Sequence, residues 1–322
     1  YQYSIDECDV LDKPLLVEFR AKREKWISWL KGAEPHSVWT QINTMMWNDA
    51  VFRTVNESRG LAARFGSPSA VLNGFLGGFI DRGYVVTQVL AIRRLVESPR
   101  NNVDQQPISL RRVLKDVRCA RDLMTRENYV AYDGAPYDFK KQEAAHSREL
   151  ADSQSTGGIT GQVDSRGPNA WARSKTRHRQ FDRLSGIEGT PSRKDLIHET
   201  VFRQISDRLA VVEIDQIGRF ADKFVAHAAD ERSQSALSDE DRKITLEKIN
   251  QCQRAIVDTA NMIGSFLWEG GCNTIPMPPY GHLKDLDQPW LPKECLGALQ
   301  AFWVQHCKSI EEWQTPEVRA KP

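Results

Sequence analysis

One seven-residue run, Ala221-Asp222-Lys223-Phe224-Val225-Ala226-His227, holds the residue types best suited to chemistry, with Arg219 just upstream. A histidine titrates near neutrality and can take or give a proton, while a guanidinium or ammonium stabilises developing negative charge. At about 100° per residue, Arg219, Lys223 and His227 stand at i, i+4 and i+8 and drift only ~80° around a helix. The spacing predicts one face carrying a base and two cations, within a long amphipathic helix marked by Ile205, Leu209, Val212, Ile217 and Phe224. The plainer reading is a histidine at a helix end, where cations are favoured, beside two solvated charges.

A second candidate is the basic stretch of Arg173, Lys175, Arg177, His178 and Arg179. Its cations could contact phosphates, with Trp171 and Phe181 available to stack on bases. It also reads as a solvated surface segment beside a loop, its charge diluted by Asp182. Arg111, Lys115 and Arg118 share a further helix side at i, i+4 and i+7, near Arg112 and Arg121. With Asp116 and Asp122 close by, that side reads as the outside of a helix. No metal site is predicted: no C-x-x-C occurs, and His306-Cys307 with Cys295 lacks a paired ligand spacing. Gly157-Gly158-Ile159-Thr160-Gly161 lacks the Lys-Ser/Thr pair of a phosphate-binding loop, and no G-x-S-x-G occurs, so no cofactor is expected.

The elements that must position these residues are helical nearly everywhere. Leu15, Leu16, Phe19, Trp26, Ile27 and Leu30 trace a first helix; Val38, Ile42, Met45, Met46, Val51 and Val55 a second, opening near Pro35 and Ser37. Leu72 to Leu95 make a third. Ser109 is a plausible N-cap for a fourth carrying Leu110, Val113, Leu114, Val117 and Met124. From about Tyr129 the pattern breaks, with a turn at Asp133-Gly134-Ala135-Pro136 and a Ser/Gly/Thr/Gln-rich stretch from Asp152 to Asn169. Ser238 and Asp241 resemble the start of another helix, running through Ile249, Ile256 and Phe266 to Gly270-Gly271. A last helix holds Leu296, Leu299, Phe302, Trp303 and Ile310. Trp26, Trp29, Trp39 and Trp47 recur at helical spacing and read as core. The fold class is all-α.

The 322 residues carry 44 basic and 43 acidic side chains, a net charge of +1, so nucleic acid would have to be met by a local patch. At 40% hydrophobic the chain can build a sizeable core. The six scattered cysteines read as reduced thiols, predicting a cytoplasmic setting. The apolar run from Val71 to Val96 is interrupted by Asp81, Arg82, Arg93 and Arg94, and reads as a buried helix rather than a membrane span. No membrane association and no signal peptide are expected.

The Asp-Lys-x-x-Ala-His run resembles the signature of HEPN-like helical domains, in the branch related to bacterial abortive-infection proteins. Gln88-Val89-Leu90-Ala91-Ile92-Arg93-Arg94-Leu95 and Ile108-Ser109-Leu110-Arg111-Arg112-Val113-Leu114 resemble that group's long helix, short loop and next helix. The likeness covers residues 35–126 and 197–268. It implies a multi-helix bundle of HEPN-like type, discontinuous over 1–126 and 197–268, with a long loop-rich insertion at 127–196 and an extra C-terminal helix in a 269–322 extension. It also implies metal-independent cleavage of RNA, in a defence or toxin–antitoxin setting. His227 would take the 2′-hydroxyl proton, Arg219 or Lys223 would stabilise the phosphorane, and two copies would pair into a homodimer around the groove. The family's arginine, four to six residues before the histidine, corresponds here to Ala221 and Asp222. That departure leaves a weak or vestigial site, a non-catalytic interaction module with a protein partner, or an RNA binder without cleavage as the expectations.

Overall fold

The computed structural model describes residues 1–32, 36–66, 74–99, 107–152, 170–225, 235, 237–268, 270–271, 274–286, 288 and 291–313. Among them lie twelve α-helices and no strand, the only bridge being an isolated antiparallel pair of Thr125 and Leu196. The all-α reading therefore stands. The helices are α1 Lys13–Lys31, α2 Val38–Phe65, α3 Gly74–Val96, α4 Leu110–Cys119, α5 Arg126–Ala131 and α6 Phe139–Asp152. They continue as α7 Ala170–Ser185, α8 Glu199–Arg208, α9 Val212–Phe220, α10 Asp239–Arg242, α11 Leu246–Trp268 and α12 Leu296–Glu312. The chain divides into two compact units, Tyr1–Asn56 with Asn73–Pro276, and Glu57–Leu72 with Met277–Pro322.

In the larger unit α11 packs against α1, α3, α4, α8 and α9. Its buried residues Ile249, Cys252, Ile256, Ala260 and Ile263 follow helical spacing and supply the middle of the core. α4 shows how local sequence makes one element. Leu110, Val113, Leu114 and Val117 are buried on one face, and Ser109 caps the helix by accepting from the Arg112 amide at 3.2 Å. The same hydroxyl donates to the Glu97 carbonyl at 2.7 Å, tying the end of α3 to the start of α4. Trp26 is fully buried and donates its indole N–H to Asp116 at 2.7 Å, whereas Trp47 is exposed, so the four tryptophans do not form one core stripe.

Several expectations are corrected. The described part of the 127–196 segment is mostly helical, and α5 is buried along its whole length. The Asp133–Pro136 turn is present, with Gly134 at φ +94°; a Cβ there would meet the Tyr3 ring at 2.7 Å. The long helix expected across Ile205 to Phe224 is two helices, because the chain leaves helical geometry between Leu209 and Val211. The helix expected from Ser238 is also two. Ser238 caps the four-residue α10, and α11 starts afresh behind Thr245, whose hydroxyl accepts from the Lys248 amide at 3.2 Å.

α3 is buried on one face only. Tyr84, Gln88, Val89, Ile92 and Leu95 point into the core, while Phe75, Phe79 and Val86 are exposed. By length and composition alone it is the one described helix long and apolar enough to cross a membrane. In the smaller unit, α12 carries exposed Leu296, Leu299, Phe302, Trp303 and Val304.

Candidate functional site

α9 runs directly into a π-helical turn, Ala221–Val225. Insertion of such a turn breaks the 3.6-residue register, so the i, i+4, i+8 alignment of the cations is not carried through it. Arg219, at the end of α9, is exposed and donates to Asp241 of α10 at 2.7 Å. Hydrogen bonding from Arg219 holds the Asp241 carboxyl below its ordinary range, and the same bond raises Arg219. Lys223 lies half-buried in the π turn. His227 lies outside the described residues.

Two neighbours of these side chains decide what the surface can do. Ala221, where an arginine would complete the motif that the run resembles, is fully buried in the core. A side chain at 221 therefore faces helices rather than solvent. Asp222 is exposed and accepts from Arg93 of α3 at 2.8 Å. The sequence reading missed Arg93 in this role, since its partner is 129 residues away and only the packing of α3 against α9 brings them together. The surface thus gathers Arg93, Arg219 and Lys223 around two carboxylates. Such exposed pairs are weak and screened, so an incoming phosphate could replace Asp222 or Asp241 as the guanidinium's partner.

The basic stretch forms α7, and its side chains take different roles. Arg177 is buried and clamps Asp133 through both terminal nitrogens, at 2.7 and 2.8 Å. It also donates to the Val130 carbonyl at 2.8 Å and the Tyr132 hydroxyl at 3.1 Å, with its guanidinium 4.5 Å from the centre of that ring. Arg173 pairs with Asp133 at 3.4 Å and Lys175 with Glu143 at 2.7 Å. His178 donates Nε2–H to the Tyr137 carbonyl at 2.8 Å, the tautomer following because a carbonyl only accepts. Burial lowers its pKa, the Tyr137 carbonyl opposes that shift, and the charges of Arg126 and Arg193 add to it. Only Arg179 of the five is exposed. Phe181, expected to stack on bases, is fully buried beneath Arg126. The stretch therefore does not form the continuous basic strip that the sequence suggested.

These contacts belong to a polar core that the sequence reading also missed. Arg23 and Arg177 flank Tyr132, both within hydrogen-bond reach of its hydroxyl, while Arg20 donates to the Tyr132 carbonyl at 2.7 Å. Arg126 is held by Asp182 and Asp195, and Arg193 bridges Asp9 and Glu127. Among the described residues no group of three His, Cys, Asp or Glu side chains could hold a metal ion.

No protein-family model, curated protein sequence or solved structure matches this chain. Fold and surface together define an all-α helical bundle that carries two carboxylate-paired arginines, Arg93 and Arg219, beside a π-helical turn.

Proposed function

We propose that this protein acts on RNA as a HEPN-like helical bundle, with a weak or vestigial metal-independent site where α9 enters its π turn. Arg93 carries this reading. It reaches Asp222 from α3 and brings to the motif a guanidinium that positions 221 and 222 lack. In the proposed chemistry His227 removes the 2′-hydroxyl proton as the 2′-oxygen bonds to phosphorus, and the 5′-oxygen leaves by taking a proton from water. Arg93, Arg219 or Lys223 then balances the charge that gathers on the phosphorane oxygens, after the phosphate displaces a carboxylate.

A second reading, a non-catalytic interaction module, is favoured by the burial of Ala221 and by the carboxylate already seated on each arginine. Incubating a mixed RNA pool in EDTA with the protein, His227→Ala and Arg93→Ala separates the two. Cleavage lost in both variants supports the site. Cleavage that survives His227→Ala removes that residue from the mechanism, and no cleavage by any of the three favours the interaction module.

A further inference from the structure

A groove of about 590 Å³ runs between α4 and α8, along the side of α4 that the sequence marks as the outside of a helix. Arg111, Lys115, Arg118 and Arg121 line it, and among the described residues the lining carboxylates are Asp122 and Glu199. The charges arise because α4 is amphipathic. Its apolar face is locked into the core, so the opposite face must carry the cations, and α8 packs alongside to make the second wall. Arg111, Lys115 and Arg118 then step along the groove by about 6 and 4.5 Å at 1.5 Å per residue.

The cations are held to different degrees. Arg111 donates to the Leu209 carbonyl at 3.4 Å and Arg121 to the Ile197 carbonyl at 2.5 Å, which positions both through neutral acceptors. Arg118 is ion-paired with Glu199. Lys115 is exposed and, among the described residues, has no hydrogen-bond or ion-pair partner. Among the described residues no aromatic side chain lines the groove, so they offer no platform on which a base could stack.

We infer that this groove binds the phosphodiester backbone of RNA without reading its sequence. The choice of RNA among polyanions rests on the RNA-directed reading of the α9 surface; the positive groove itself does not depend on it. Contacts from Lys115, Arg118 and Arg111 to three phosphates would give a log–log salt slope of about −2, or roughly 20-fold weaker binding between about 50 and 200 mM salt.

The test is fluorescence anisotropy of a labelled 2′-O-methyl oligoribonucleotide in EDTA, a probe that 2′-hydroxyl attack cannot cleave. Binding is thereby measured whether or not the α9 surface is catalytic. Lys115→Glu with Arg118→Glu should abolish most of the affinity and flatten the salt slope. Reversal of two exposed cations on α6, Lys140→Glu with Lys141→Glu, should change affinity less than twofold. Glu199→Gln frees Arg118 and should tighten binding by about fivefold, the effect of one unit charge near contact distance in water. A merely unstable variant would not give that gain. No binding by the parent, equal loss from the α6 reversal, or no gain from Glu199→Gln overturns the assignment.

Discussion

Replacing Asp133 with asparagine removes the charge from a clamp whose guanidinium cannot reach water. Arg177 is 1% exposed and spends two of its donors on Asp133, at 2.7 and 2.8 Å. Breaking one side of a buried ion pair costs about 3–5 kcal/mol, because the remaining charge stays desolvated. Two facts hold the value to the low end. The Asp133 side chain keeps 18% of its surface, and Arg177 retains the Val130 carbonyl and the Tyr132 hydroxyl and ring. We therefore expect about 3 kcal/mol, which is roughly 6–12 °C in Tm at 2–4 °C per kcal/mol. Thermal unfolding followed by circular dichroism reads this directly. Adding Arg177→Met should recover at least about 1 kcal/mol, since the second change removes the stranded charge. If Arg177 instead serves as a phosphate contact, Asp133→Asn would leave Tm within about 2 °C and strengthen RNA binding. That result, or a double variant as unstable as the sum of the singles, would refute the reasoning.

Two further outcomes test the candidate site and the polar core. Ala221→Arg, which writes the family's arginine into the motif, should lower Tm by roughly 6 °C or more without creating cleavage. The site has no exposed surface, so the variant pays both overpacking and a buried charge; a stable variant that cuts RNA would contradict the packing. His178 has a folded pKa below its ordinary 6.5, from burial first. Below pH 6.5 the unfolded chain binds the proton more readily than the folded one, so stability is full above 6.5 and falls as pH drops toward the folded value. Melting between about pH 7.5 and 5.5 should show this fall, and His178→Gln should flatten it; parallel profiles for the two proteins would remove His178 as the cause.

Local sequence determined that several segments are helical and where some of them start. The Leu110, Val113, Leu114 and Val117 period and the Ser109 hydroxyl make α4 without reference to distant residues, since capping and one apolar face are properties of neighbours along the chain. The same logic failed at α5. Arg126 and Glu127 carry charge yet are buried, because Asp182 and Asp195 arrive from elsewhere to pair with Arg126, and Arg193 and the Leu11 amide to meet Glu127. The candidate site divides along the same line. Residue type named Arg219 and Lys223, but helical spacing could not foresee the π turn that holds Lys223, the Arg93 guanidinium on Asp222, or the burial of Ala221. Arg177 and Arg179 are the same residue two positions apart, one a buried clamp and the other exposed. A helix's period is written in consecutive residues; which face becomes interior, and which carboxylate meets each cation, is set only when distant segments pack together.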